Sequence, residues 1–247
     1  MAAMCVSVSL GFLPALALGT FLGSLFAVLF KRSFISVGPA LSFTGGVMLV
    51  ASFTSLILPG IEKGGFWSVA LGIMLGFALM ALIENLVPHE HTIKGKEGPT
   101  NQRIGKLYLI VFAVIIHNMP EGFSVGVASS YSMDKGLETA IAIALQDVPE
   151  GLIVSLPLMV ISGKVLIPLW IGFLSGLLEA LFSIFGYTFF EYFNSLLPIG
   201  LGFGGGAMIY ITAKEVFPEA YSEGKHTQST VAFLVGLLLM LLLDTSL

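Results

Sequence analysis

Charge is what this chain has least of. Among 247 residues only 11% are Asp, Glu, Lys or Arg, against about 25% in an ordinary globular domain. That is too little to cover the surface of a soluble protein of this size. The net charge is −4 and no basic run occurs, so nucleic acid is excluded as a partner. The single cysteine, Cys5, rules out an internal disulfide and a thiolate metal site. A basic stretch ahead of the first apolar run is also missing. Ala15-Leu16-Ala17 looks like a cleavage site, yet the apolar run continues to Phe30 and stops only at Lys31-Arg32. The segment is therefore expected to stay as a membrane span and not to act as a removable signal. Both termini lie close to apolar segments, so one membrane domain, 1–247, is expected.

What the chain has in excess is apolar length. It is 56% hydrophobic, with a mean hydropathy of +0.96. A helix needs about 20 apolar residues to cross the hydrocarbon core. Eight segments meet that need: Val6–Phe30, Val37–Pro59, Phe66–Leu86, Ile104–Ser129, Leu137–Ile161, Val165–Phe190, Pro198–Phe217 and Thr230–Leu243. Only helices satisfy the backbone in runs of this length and pattern, so the expected fold is an all-α integral membrane protein with the lipid bilayer as its main partner. Basic residues favour the cytoplasmic side. With the N-terminus outside, Lys31, Arg32, Lys94, Lys96, Arg103, Lys106, Lys164, Lys214 and Lys225 all fall inside, and only Lys63 and Lys135 fall outside. Eight spans then leave both termini outside. The expected location is a cell membrane, inner or plasma. The connection 87–103 becomes a cytoplasmic loop, polar and rich in turn formers. Its His89 and His91 are either a catch for a departing metal ion or two solvated histidines.

Two segments carry chemistry that apolar packing does not require. The fourth reads VFAVIIHNMPEG and the fifth AIAIALQDVPEG. His117, Asn118 and Glu121 in the first match Gln146, Asp147 and Glu150 in the second. Residues three and four apart share a helix face, so each trio faces one way. The two helices are joined by a short turn and are antiparallel neighbours, which lets both faces converge on one site near mid-membrane. Pro120 and Pro149 remove a helical N–H, free the carbonyls of Ile116 and Leu145 and are expected to kink and break both helices at the site. Gly122 and Gly151 follow and permit close backbone approach.

Glu179 in the sixth segment adds a fourth acid with no basic residue near it in sequence. Four unpaired acids at the bilayer centre cost on the order of 10 kcal/mol on insertion scales. Bound cations or protons must offset this. Two divalent ions balance four carboxylates, as do one ion and two protons. Imidazole with carboxylates suits zinc, iron, manganese or cadmium, whereas calcium and magnesium prefer all-oxygen shells. No catalytic cofactor is implied. A transporter of such ions is the leading expectation. An intramembrane metal-dependent hydrolase and a proton carrier using the acids as relays are the alternatives.

An internal echo supports transport. Phe43-Thr-Gly-Gly-Val-Met48 in the second segment matches Phe203-Gly-Gly-Gly-Ala-Met208 in the seventh, with Pro59 and Pro218 further on. The two segments cross in opposite directions. This is the pattern of an inverted repeat, segments one to three against six to eight, around the central pair. Glu84 near the end of the third segment is expected to snorkel to the interface. Glu215 and Glu219 near the end of the seventh either line an exit route or face water. Ser52, Ser55 and Ser175 either serve hydrated ions or pack helices.

HNMPEG at 117–122 and QDVPEG at 146–151 resemble the signature of ZIP (Zrt/Irt-like) zinc and iron transporters, with support from SGLLEA around Glu179 and KEVFPEA in the seventh segment. The resemblance implies import of divalent metal through a binuclear site. One ion would be held by His117, Glu121, Gln146 and Glu150. The other would be held by Asn118, Asp147 and Glu179, with Glu121 and Glu150 bridging. It further implies a homodimer and two helix bundles, segments one, four, five and six moving against two, three, seven and eight. Many members carry His where Gln146 stands. The Gln-Asp pair is similar to a bacterial-type branch, and a neutral amide there is a weaker ligand than imidazole.

Overall fold

The computed structural model describes residues 16–246 except 17, 31–35, 87–88, 92–94, 98–105 and 223, and only the backbone of 89–91, 95–97, 106–107 and 109–110. Its helices are α1 (Leu18–Phe30), α2 (Val37–Ala51), α3 (Leu58–Leu86), α4 (Lys106–Tyr131), α5 (Met133–Ser162), α6 (Leu166–Tyr192), α7 (Leu197–Ile211), α8 (Phe217–Ser222) and α9 (His226–Ser246). Six continuous helical stretches among the described residues are long and apolar enough to cross a membrane, and α1 is a shorter apolar helix. The longest stretch, Val37–Leu86, has 50 residues, about 75 Å at 1.5 Å per residue. Gly65 breaks it with φ 77° and ψ 168°, a conformation open to glycine and hostile to other residues. The chain enters α5 through Ser132, whose hydroxyl accepts from the Lys135 amide at 3.2 Å, and leaves it through Gly163 at φ 64°. These are a side-chain N-cap and a left-handed C-cap.

Packing sorts the helices into two groups. In one, α4 lies along α6 and α5, and α1 sits on α5 and α6 through Gly19, Gly23 and Gly172. In the other, α3 lies along α7 and α2 along α9. The groups meet where α2 touches α5 and α4 touches α7. Small residues bring the backbones together, as in membrane helix pairs generally. Gly122 and Gly126 of α4 face the carbonyls of Glu179 and Ser183 on α6, and Gly151 of α5 faces that of Thr20 on α1. Ser155 and Ser24 continue the second contact with a 2.8 Å hydroxyl bond.

These contacts recur in a fixed register. Gly46 of α2 meets Phe233 of α9, and Gly206 of α7 meets Ile73 of α3. Gly236 of α9 meets Phe43, and Gly76 of α3 meets Phe203. Every pair is displaced by 160 residues from its counterpart. The same displacement relates two π-helical turns, Ser52–Ile57 and Thr212–Val216. Each begins nine residues after the phenylalanine of its motif. Ser52 donates to the Met48 carbonyl at 2.6 Å and Thr212 to that of Met208 at 2.8 Å.

Two expectations change. The helical backbone runs through Pro120 and Pro149 without interruption. The irregular turns sit in the glycine-rich pair instead, where Ser52 and Thr212 bond back to carbonyls four residues earlier and distort the ladder. The all-α fold class holds, and within the expected loop His89–His91 (β1) and Gly95–Glu97 (β2) form a short antiparallel ribbon, with Glu90 opposite Lys96. Glu84 does not reach lipid headgroups. It is 3% exposed and bonds Lys214 and the Tyr210 hydroxyl, because a cation on the turn after α7 lies within its reach. Segment one before Leu16 lies outside the described residues.

Candidate metal centre

The centre forms where α4 and α5 run antiparallel in contact. Glu121, Asp147 and Glu150 each offer a carboxylate oxygen, all within 4.8 Å of one another. Ligands at 2.0–2.2 Å from a zinc ion stand about 3–4 Å apart, so contraction by about 1 Å would seat an ion among them. Asn118, Glu121, Gln146, Asp147 and Glu179 are fully buried. Gln146 Nε2 donates to Glu121 Oε1 at 2.5 Å. Asn118 Nδ2 reaches Glu179 Oε2 and Thr20 Oγ1, both at 3.5 Å.

Both amides turn their nitrogens toward side chains of the cluster and leave their oxygens free. Asn118 Oδ1, Gln146 Oε1, Glu121 Oε2, both oxygens of Asp147, Glu150 Oε1 and Glu179 Oε1 are buried without a hydrogen-bond partner. Buried acceptors are normally satisfied. A cluster whose unpaired atoms among the described residues are all acceptor oxygens has the chemistry of a hard-to-borderline cation site.

His117 behaves differently from the rest. Its Nε2 is bonded to Glu215 Oε2 at 2.7 Å, and its side chain keeps 15% of its exposure. The imidazole therefore engages an acid on the turn after α7 and is not part of the tight carboxylate trio. Beside it lies a cavity of about 50 Å³ that reaches Glu121, Glu150, Glu215 and Glu219. Its other walls come from the N-terminal halves of α2 and α4 and the C-terminal half of α5, including Thr44, Val114 and Ile153. The cavity is on the side of the centre that carries Lys214 and Lys225. Glu215 and Glu219 thus join the centre through His117 and this space. His89 and His91 lie on β1, and their side chains fall outside the described residues.

Sequence reasoning missed Thr20. It stands alone in an apolar run, but the register exposes it. Thr20 and Glu179 are 159 residues apart and take matching places, each presenting its carbonyl to the glycine of a Pro-Glu-Gly motif. Gly19 next to it leaves no room for a side chain against Asp147, so α1 closes over that carboxylate.

The chain as a whole is similar to known proteins. The family described as ZIP Zinc transporter matches residues 85–244. The chain belongs to the ZIP zinc transporter family. Among its relatives, zinc transporter ZIPB of Bordetella bronchiseptica is 38% identical over 217 residues, covering 84% of this chain and 70% of ZIPB. Zinc transporter GufA of Myxococcus xanthus is 32% identical over 203 residues, covering 78% and 80%. Zinc transporter ZupT of Corynebacterium glutamicum is 33% identical over 246 residues, covering 90% and 92%. With its apolar helices, this ZIP-family chain is an integral membrane protein.

Proposed function

We propose that this chain carries divalent transition-metal ions, zinc foremost, across the membrane toward the face that bears its basic loops. The observation that carries this reading is the convergence of Glu121, Asp147 and Glu150, each with at least one oxygen buried without a hydrogen-bond partner in the middle of apolar helices. Relatives named as zinc transporters support a transporter over an enzyme. Cadmium, iron and manganese suit the same donors.

The proposed centre holds two ions. His117, Glu121, Gln146 and Glu150 bind the first, and Asn118, Asp147 and Glu179 the second, with Glu121 and Glu150 shared. Four carboxylates then balance two divalent charges. The bond from His117 to Glu215 supports a handover in which the imidazole exchanges between the ion and Glu215. Glu215 and Glu219 continue the route through the adjoining cavity.

Eight spans are part of the proposal. Dividing Val37–Leu86 at Gly65 and counting α1, α4, α5, α6, the stretch Asn194–Ser222 and α9 reaches that number. Cross-helix contacts support the alternation. Lys135 with Asp244, and Tyr131 with Glu62, collect at one end; Lys214 with Glu84, and Lys225 with Ser36, collect at the other. Both termini then lie outside. The register of 160 residues supports an inverted repeat, and the two helix groups support alternating access by relative motion. A homodimer follows from the resemblance, and crosslinking in membranes would test it.

Purified protein in liposomes provides the main test. Zinc uptake by the parent chain should exceed that of Glu150→Ala by about 100-fold. Equal fluxes would overturn the reading. Competition by cadmium, iron and manganese would rank the ions.

A further inference from the structure

The two sides of the centre are in different conditions. The cavity beside His117 has Leu41, Met48, Val114 and Glu215 among its walls. The internal register, 160 residues between α2 and α7 and 29 between α4 and α5, assigns each wall residue an image on the opposite side. The images are Leu201, Met208, Ile143 and Ser55, all 0% exposed, while the wall residues themselves are 9%, 1%, 1% and 2% exposed in the order Leu41, Met48, Glu215 and Val114. The contrast lies at the centre itself, where His117 keeps 15% of its side-chain exposure beside the cavity and its image Gln146 keeps none. A cavity adjoins the His117 side, and the image residues are packed.

The ends of the helices show what accompanies this difference. Glu84 of α3 and Asp244 of α9 occupy the same register. Glu84 takes its cation from within its own helix group, bonding Lys214 on the turn after α7, with the Tyr210 hydroxyl at 2.8 Å. The register image of Lys214 is Thr54. Its hydroxyl donates to the Val50 carbonyl at 3.2 Å and supplies no charge. Asp244 instead takes its cation from the other group. Lys135 of α5 reaches Asp244 Oδ1 at 2.9 Å and Glu138 Oε2 at 2.6 Å. The acid on the accessible side is thus neutralised inside one group, and the acid on the packed side is neutralised across the two.

Resting on the transport reading above, we propose that the Lys135–Asp244 pair is a clasp that holds the far side of the centre shut. In this mechanism α5 releases Asp244 before that side admits an ion. Release leaves neither group stranded. Lys135 keeps Glu138, one helical turn away, and Asp244 keeps part of its exposure to water.

Thiol labelling of Ser55→Cys, in a Cys5→Ser background, reads the clasp without requiring transport. A membrane-impermeant maleimide is applied from the face that carries Lys135 and Asp244. Lys135→Met and Asp244→Asn are each expected to raise the labelling rate about fivefold. Thr54→Lys, which offers Asp244 a cation from its own group, should raise it less. The exchange Lys135→Glu with Asp244→Lys should return it to the parental rate. Unchanged labelling in Lys135→Met, Asp244→Asn and Thr54→Lys, with zinc binding by calorimetry intact, would overturn the clasp. So would equally fast labelling of the parent, or raised labelling that the charge exchange fails to reverse. Absence of zinc flux in the parent chain would overturn the transport reading instead and leave the labelling comparison standing.

Discussion

On one side of the centre the π-helical turn Thr212–Val216 presents Glu215 to His117, and a cavity adjoins them. On the other side the matching turn Ser52–Ile57 carries Ser55 at the same register, Gln146 stands where His117 would, and the helices close without exposure. The backbones correspond closely, down to the hydroxyl of Ser52 or Thr212 bonded to the carbonyl four residues back. The side chains do not. An acid and an imidazole on one side become a hydroxyl and an amide on the other. A shared frame therefore builds the pocket, while the substitutions set which side of it is charged and which stays neutral and packed.

The strongest way to break this comparison is at the residues it treats as equal. Glu121→Ala and Glu150→Ala should both lower zinc uptake in liposomes by about 100-fold. A large inequality between them would argue against a shared, bridging role. The close-packed glycines come next. Gly122→Leu and Gly151→Leu force side chains into the carbonyls of Glu179 and Thr20. Each should destabilise the fold by about 3 kcal/mol, seen as lost thermal stability in detergent, and the two losses should be alike.

Smaller effects sharpen the differences. His117→Gln should weaken zinc binding about tenfold and Gln146→His strengthen it, since imidazole is the better zinc ligand; calorimetry would measure both. Glu179→Gln should weaken binding about tenfold, whereas Thr20→Val should change it by less than about twofold, because Thr20 offers a hydroxyl and no charge. The smallest contrast concerns the turns. Glu215→Gln should slow zinc release by about threefold, and Ser55→Ala should leave it within error, as followed by stopped-flow exchange.

Much of the centre is legible in the sequence. HNMPEG and QDVPEG name their residues because a polar trio inside an apolar membrane helix is costly unless a cation or proton offsets it, and helical spacing puts each trio on one face. Glu179 stands out for the same reason. Thr20 does not, because a lone threonine costs little in a membrane helix and its importance lies in which carbonyl meets Gly151. The role of His117 is also hidden. Spacing joins it to Glu121, yet its bond goes to Glu215, 98 residues away in sequence. Glu84 reads as a snorkelling acid until the fold sets Lys214 beside it.

The prolines teach the same limit. Pro120 and Pro149 promise broken helices, but α4 and α5 run through them as continuous helices. The irregular backbone falls instead at Ser52 and Thr212, where nothing in local composition marks a break as strongly as proline does. The echo of F-x-G-G-x-M points to the right pair of helices without saying how far the correspondence runs. The glycine contacts extend it to α3 with α9 and α1 with α6, because only packed backbones reveal which carbonyl each glycine faces.

By itself, the sequence determined the membrane class, the central pair of helices and the candidate acidic residues of the centre. Each follows from the cost of placing charge in hydrocarbon and from helical periodicity, both local properties of the chain. Tertiary structure alone decided which acid His117 bonds, which cation neutralises Asp244 and which side of the centre is packed shut. Those outcomes depend on contacts between helices far apart in sequence, and the chain's local pattern is the same whichever side is closed.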